Sequence, residues 1–528
     1  MKKLYISTLT LFVIILHSPF SILHSQQVPF SVEIEPVISG PMPGMHSFAW
    51  AQSGSKWLFV GGRKNGLHGF STNQNFDVVY EQDVITVIDT STWSYYQSPL
   101  GVLPYSEADP LRATNAEFTT IGNYLYVIGG FGWDSTAAGY RTFPTISAID
   151  INGMINAVMT GSSIAPWIRQ TTDNNLRVCG GDLKQYGAGS ILFFGQNFSG
   201  RYSQQPGPTF TQTYTNEIKH FNIDDNGNLI FITNYSADVD TNNFHRRDLS
   251  VGAVVDPDGT YGWCAYSGVF QKARNIPWTS SVEYNVNHGT TTVDSSFAQN
   301  MNNYTCGLLP VFDSLHRDMY TVMFGGCSLN DYNPSTGTQT QDTLVPFVSD
   351  ISVMVHASTG GWAQVPLSVQ MPGLQGANMA FIPVGTIPYF EPGVVDLRSV
   401  GGRTLAGYLV GGIVSSQPDT PPTTWANDTI YRVFITPDVN ALDVNDPDAV
   451  GTVDVFPNPA NSVVTVRVHS NEQTQIEIFD AQGRSVFDEQ HFGAHDVSVN
   501  TSSFAPGIYF VQAISGSVIS KQKLVITR

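Results

Sequence analysis

Charge is scarce in this 528-residue chain: Asp, Glu, Lys and Arg together make up 13% of it, and 43 acids outnumber 25 bases. That balance excludes a broad basic surface for nucleic acid or anionic membrane. Cysteine is rarer still. There are four, none before Cys179, which excludes a disulfide-dense scaffold and a lipid-anchored cysteine near the mature N-terminus. Beyond the first 25 residues no segment approaches the roughly 18 apolar residues of a membrane span. No C-x-x-C points to structural zinc, and no G-x-S-x-G, H-E-x-x-H or phosphate-cradling glycine loop is present.

What remains is a turn-rich, core-forming β composition, with 12% aromatics, 48 Gly and 30 Pro. Its main feature is a repeated stretch, a run of large apolar residues ending in glycine. It occurs as WLFVGGR from Trp57 to Arg63, Tyr124–Gly130, Ile191–Gly195, Tyr320–Gly326 and Tyr408–Gly412. The first glycines fall at 61, 129, 195, 325 and 411, and the gap of 130 is about twice the spacing of the first three. A degenerate copy fills it near 260, where Tyr261–Phe270 carries Ser267-Gly268. Six copies of one supersecondary unit at a long period predict a propeller or solenoid.

Each copy is laid out as four strands. In the first, His46–Ala51 is strand a, Trp57–Val60 strand b, Asp83–Asp89 strand c and Trp93–Gln97 strand d, from alternating apolar residues between turn formers. The glycine pair fits the end of an inner strand b, where backbones crowd or φ turns positive. An amide or small polar residue and an acid precede strand c, as in Gln82-Asp83, Asn216-Glu217, Ser349-Asp350 and Asn427-Asp428. A side-chain bond to the backbone where the strand begins accounts for that pair.

These residues resemble kelch repeats over 28–435, through the apolar-Gly-Gly element, the acid before strand c and the Trp opening strand d at Trp93 and Trp362. The resemblance implies an all-β, six-bladed kelch-like β-propeller. The chain departs from the family in its longer repeats, in the missing Trp of the other copies, and in Val87 and His356 where the family has Tyr. The sixth copy has a strand c at Thr429–Ile435 and no strand d. Pro29–Ile38 is therefore expected to pair there as the outer strand and lock the termini together.

Residues 1–25, with Lys2, Lys3 and an apolar run over Leu9–Leu16, read as a secretory signal peptide. Residues 436–452 read as an acidic linker with four Asp; without the glycine and terminal Glu of a known loop it is a weak calcium candidate. Residues 453–528 form a separate small β-domain. Its PNPA opening, DAQGR turn, APGIYFVQ strand and KQKLVITR end resemble the C-terminal sorting domain of the type IX secretion system. That resemblance implies an Ig-like β-sandwich, a Bacteroidota-type source, the type IX machinery as partner, and a protein secreted or attached to the outer-membrane surface. A plain Ig-like adhesive domain is the alternative.

Between leader and linker there are 18 bases against 32 acids, yet basic and aromatic residues recur in the loops after strand b and before strand a. The candidates are Arg63, His68, Arg112, Trp133, His245, Arg246, Arg247, Lys272, Arg274 and Trp278, with Arg246 and Arg247 foremost. They suit an anionic or carboxylate-bearing ligand, or a glycan stacked on Trp133 or Trp278. Equally, the arginines tie neighbouring blades together by pairing with strand-c acids. Catalytic and metal residues are not apparent. The histidines are scattered over different blades without the grouping a copper site needs, and Asp225-Asn226-Gly227 and Asp256-Pro257-Asp258-Gly259 read as β-turns rather than sialidase-type Asp boxes. Cys306 and Cys327 lie in one repeat and are a possible disulfide, with inert buried thiols the alternative. The expected function is binding of a glycan or protein ligand through the loop face; a secreted carbohydrate-active or oxidative enzyme, or a structural adhesion component, are the other readings.

Overall fold

A computed structural model describes residues 28–37, 40–69, 75–203, 210–359, 361–419, 423–438, 453–468, 473–493, 495–515 and 518–527. The leader at 1–25, most of the acidic linker and Ile38 lie outside the described residues. The chain divides into two compact units, one ending at Pro437 and one beginning at Asp438.

The first unit is built of six successive sheets, antiparallel except that in the fifth Gly307–Asp313 also pairs in parallel with the short strand Val394–Asp396. The first contains Ala49–Ser53, Lys56–Val60, Val84–Asp89 and Ser94–Pro99, hydrogen-bonded in that order. The second contains Glu117–Ile121, Tyr124–Ile128, Thr145–Asp150 and Ile168–Thr172; the third Asp182–Tyr186, Gly189–Phe193, Glu217–Asp225 and Ile230–Val239. In the fourth are Ser250–Val255, Tyr261–Tyr266, Val282–Asn285 and Thr290–Val293, and in the fifth Gly307–Asp313, Asp318–Cys327, Phe347–His356 and Trp362–Gln370. The sixth takes Leu374–Pro383, Thr404–Ser415 and Tyr431–Pro437 from the end of the unit, and Phe30–Pro36 from its beginning. Phe30 pairs with Pro437 and Pro36 with Tyr431, so the N-terminal segment is the expected outer strand.

Apolar side chains alternate out of both faces of each sheet, and the seams between sheets bury them. One cluster joins sheets one and two, through Leu58, Val60, Leu125 and Val127. Others join two to three (Ile128, Leu192), three to four (Phe193, Val251), four to five (Val254, Met323) and five to six (Phe347, Ile413). The sixth sheet packs back on the first through Val410, Ile382, Trp57 and Phe59, with Tyr408 edge-on to Trp57 at 5.1 Å. Each fully buried Leu, Ile or Phe contributes about 1.5–3 kcal/mol.

The glycine pairs sit where one sheet touches the segment entering the next. The N–H groups of Gly62, Gly130 and Gly195 donate to the carbonyls of Ala113, Val178 and Arg246 at 3.0, 2.8 and 3.0 Å. Gly412 makes the same bond to Met45, at 2.9 Å, from the sixth sheet to the entry of the first. Both members of each intact pair have positive φ, and a Cβ on Gly129 would lie 2.0 Å from the Val178 carbonyl oxygen. The polar residue before strand c acts as expected in the sixth repeat: Asn427 donates to the Gly411 carbonyl and accepts from the Thr429 N–H. Strand a, not strand b as the sequence suggested, lines a cavity common to all six sheets; strand b lies between strands a and c in every sheet.

Several features depart from the four-strand layout, among them the strands Tyr389–Glu391 and Val394–Asp396 added to the fifth sheet. Helices α1 (Tyr105–Arg112) and α2 (Ile151–Thr160) interrupt the second repeat, and α2 buries Ile151, Met154, Ile155 and Val158 on the seam between sheets one and two. Asp150 caps α2 by accepting from the Gly153 N–H, and Gly161 ends it at φ 68°. In addition, hairpins after strand b of repeats two and three (Phe131–Asp134 with Gly139–Thr142, Gln196–Gly200 with Phe210–Tyr214) join into a further four-stranded sheet.

The second unit has a three-stranded sheet (Val453–Phe456, Val463–Val468, His495–Asn500) and a four-stranded one (Gln473–Asp480, Ser485–Phe492, Gly507–Ser515, Val518–Ile526). Both contribute to one core of Val464, Val466, Ile476, Ile478, Val511 and Leu524, consistent with a β-sandwich. Its sequence landmarks have local causes. Asn458 of PNPA accepts from the Val525 N–H and donates to the Lys523 carbonyl, which fastens the opening to the last strand. Asp480 of DAQGR accepts from the Gln482 and Arg484 N–H groups and closes the turn at Gly483.

Gly129→Ala should cost more than about 3 kcal/mol in equilibrium unfolding, from backbone strain plus the clash with Val178. Gly54→Ala, also at positive φ but with nothing within 4 Å, should cost about 1 kcal/mol. Equal costs would show that the crossings between sheets are not what the glycines serve.

Candidate functional site

Two residues before the first strand in each of the first five sheets, and within the first strand of the sixth, the backbone turns left-handed. The six residues are Ser47, Asn115, Gly180, Asp248, Thr305 and Asn378, with φ of 56°, 52°, 70°, 47°, 57° and 56°. Neighbours support one another: Asn115 N–H donates to the Ser47 carbonyl, Gly180 to Asn115 and Asp248 to Gly180, at 3.1, 3.0 and 2.7 Å. Five of the six are not glycine, and each costs about 1–3 kcal/mol that the surrounding contacts offset. All five line one cavity of about 360 Å³, which thus meets every sheet except through Gly180, whose neighbour Cys179 lines it instead.

The wall of this cavity is aromatic. Phe76, Phe131, Phe198, Tyr202, Phe270 and Tyr304 line it, several of them supplied by the additional sheet and by the loops after strand b. Phe131 packs on Phe76 and Phe198 at 5.1 Å each. The charged groups are Arg63, Arg247 and Asp248, with His46 and His68 beside them. Arg63 is 2% exposed and lies 5.2 Å from the Phe76 ring; it donates to the Asn65 side chain and the Asp77 carbonyl. Burial lowers its pKa, with neighbouring Glu81 opposing. Burial lowers Arg247 too, but the Asp248 carboxylate, to which it is ion-paired, outweighs this and holds its pKa above the ordinary value. Arg247 also donates to the Tyr214 hydroxyl, and Asn115 holds the other oxygen of Asp248 at 3.1 Å.

Burial, then Arg63, brings His46 down to about 3, and burial brings His68 down to about 4. Both imidazoles are neutral at pH 7. The positive charge of the cavity therefore resides on the two guanidiniums. Burial pushes Cys327 up to about 12 and raises Cys179 above its usual value, so the two thiols here are unreactive.

Of the residues expected from sequence, Arg63, His68 and Arg247 come together in this cavity, and the others do not line it. Arg246 is wholly buried. Its guanidinium donates to the carbonyls of Asn243, Ser267 and Ser280 and to the Ser280 hydroxyl, and lies 4.4 Å from the Trp278 ring. It ties segments together through carbonyls, not through a strand-c acid. Trp278 is half-buried, has Arg246 over its ring and donates its indole N–H to the His245 carbonyl. Trp133 packs on Tyr140, and its backbone N–H donates to Glu81. His245 stacks on Tyr214 at 3.8 Å and bonds the Asn216 side chain. Arg112 pairs with Asp109 at the end of α1, while Lys272 and Arg274 are exposed. Cys306 and Cys327 are separate buried thiols, not a bridge.

The arginine tie to a strand-c acid exists elsewhere: Arg169 of sheet two grips Asp225 of sheet three at 2.5 and 2.7 Å. A second cavity, of about 340 Å³, is lined by the first strands of all six sheets and contains Glu117 and Asp182, both with pKa raised by burial. Each carboxyl bonds the following sheet, Glu117 to the Gly181 N–H and Asp182 to the Val251 N–H. These acids fasten sheet to sheet.

Replacing Arg246 by Leu should lower stability by about 3 kcal/mol or more, because three carbonyls lose a charged donor; an unchanged denaturation midpoint would contradict the structural role. For His46 the folded pKa lies below the ordinary histidine value of 6.5, so its contribution is complete above pH 6.5 and is lost as pH falls toward 3. At about 1.4 kcal/mol per pH unit, the stability of the wild type relative to His46→Gln should fall by about 2 kcal/mol between pH 8 and pH 5. A difference that does not change with pH would refute this.

No helix among the described residues is long and apolar enough to cross a membrane. No curated protein matches the chain significantly. Residues 454–527 match the family described as the secretion system C-terminal sorting domain, which supports export by type IX secretion and a secreted or cell-surface location.

Proposed function

We propose that residues 28–435 form a six-bladed kelch-like β-propeller, exported by a Bacteroidota-type bacterium through the sorting domain at 453–528. Its central cavity binds a small carboxylate-bearing ligand, an acidic sugar or the end of a short acidic glycan. The observation that carries this is the pair of guanidiniums, Arg63 and Arg247, in an aromatic-walled cavity of a domain whose overall charge is strongly negative. A guanidinium offers a carboxylate a planar fork of donors, and aromatic faces accept the apolar face of a sugar ring. A volume near 360 Å³ lies within the range of small-ligand sites and is too small for a folded partner. An enzymatic reading finds less support. The carboxyls with raised pKa in the second cavity are bonded to backbone N–H groups of adjacent sheets, which explains them without a reaction.

A glycan array probed with the full chain should retain uronic- or sialic-acid-terminated glycans and not their neutral counterparts. Arg247→Ala should weaken that binding by about tenfold or more, the loss of one charge-assisted hydrogen-bond pair, with its melting temperature followed in parallel. Equal retention of neutral glycans, or unchanged affinity in a folded Arg247→Ala chain, would rule the reading out.

A further inference from the structure

Away from the central cavity, three potential metal ligands meet between the fourth and fifth sheets. Asp256 directly follows the first strand of sheet four, Glu283 lies on its third strand opposite Cys264, and His356 ends the third strand of sheet five opposite Met319. One ligand atom from each lies within 4.8 Å of the other two. The geometry points to a binding site for a first-row divalent transition cation, with Zn²⁺ the probe of choice, held by Asp256, Glu283 and His356.

Three observations carry this. Glu283 Oε1 and His356 Nδ1 are buried atoms without a hydrogen-bond partner, and two such orphans in one place call for an explanation. His356 Nδ1 stands 4.0 Å from Asp256 Oδ1, too far for a hydrogen bond and close enough for both atoms to reach one ion through bonds of roughly 2.1 Å. Ligands of a tetrahedral zinc are about 3.4 Å apart, so closing the set asks only about 1 Å of side-chain movement. The outer contacts, finally, are those that orient metal ligands. Asn285 donates to Asp256 Oδ2 at 2.8 Å and Thr260 reaches the same oxygen at 3.4 Å, while His356 is held flat against Trp362, ring centroids 4.4 Å apart.

An imidazole with two carboxylates suits zinc or manganese better than calcium, which takes six or more oxygens. The cation would bridge two sheets that otherwise meet through an apolar seam and a few polar contacts such as Tyr266 with Thr321, and would add a crosslink there. Its position on a seam, apart from the central cavity, makes this site independent of the ligand reading above.

The full, untagged chain is stripped with EDTA, dialysed against Zn²⁺, Mn²⁺ or Ca²⁺, and its metal content and melting temperature are measured. About one Zn²⁺ per chain and a higher melting temperature with Zn²⁺ are expected. Glu283→Gln, which keeps side-chain volume, and His356→Gln should each weaken Zn²⁺ binding by about tenfold or more while melting as the stripped wild type does. Zinc absent from the wild type, zinc retained equally by the variants, or calcium retained in preference to zinc would each overturn the assignment. If a variant does not fold, the zinc-dependent shift of the wild type still decides.

Discussion

The architecture of the larger unit depends on one close approach, repeated: a backbone N–H at the end of a second strand meeting a carbonyl in the segment that enters the next sheet. The two chains come so near that no side chain fits between them, as the 2.0 Å Cβ positions at Gly129 and Gly325 show. Everything central follows from it. It fixes how far one sheet is turned from its neighbour, it delivers the first strand of each sheet to a common interior, and it leaves the preceding residue in the left-handed conformation found at Ser47, Asn115, Gly180, Asp248, Thr305 and Asn378. The fourth repeat, which has Ser267 and Gly268 in place of the pair, keeps the same backbone with φ of 52° and 92°.

Around that frame, polar groups divide into two kinds. One kind spends its hydrogen bonds on the neighbouring sheet: Glu117, Asp182, Arg169 with Asp225, and Arg246 on its carbonyls. The other kind faces the cavity, where Arg63 and Arg247 remain charged beside imidazoles that burial keeps neutral. Burial alone does not separate them, since Arg246 and Arg63 are both nearly inaccessible. The partners do. Arg246 is surrounded by carbonyls from three segments, whereas Arg247 is balanced by a single carboxylate at the cavity wall.

Much of the frame was legible because its cause is local. A glycine pair after an apolar run marks each crossing even when one member is lost, and the alternation in Pro29–Ile38 was enough to assign the outer strand of the last sheet. Helix α2 is equally marked in the sequence, with Asp150 and Gly161 bracketing Ile151, Met154, Ile155 and Val158 at helical spacing, but a layout of four strands per copy leaves no place for a helix. The site was legible only in part, for a different reason. Adjacent residues Arg246 and Arg247 carry the same charge, yet one is spent on the carbonyls of Asn243, Ser267 and Ser280 and the other lines the cavity, a difference that only the tertiary contacts decide. The aromatic wall had no signal of its own, because it is assembled from hairpins inserted in two repeats and from loops of others. A clue was present in the polar residue or glycine found near the start of the first strand in five sheets and within it in the sixth, a position whose shared backbone conformation the differing residue types conceal.

The outer edge of the sixth sheet has a mechanical consequence. Tyr431–Pro437 is flanked on one side by Phe30–Pro36 and on the other by Thr404–Ser415, and it is the strand from which the chain continues toward the sorting domain. A pull on the C-terminal end of the chain therefore enters along a strand gripped on both flanks. Its bonds are loaded together in shear rather than peeled in succession, and the first residues of the unit help carry whatever strain reaches its last.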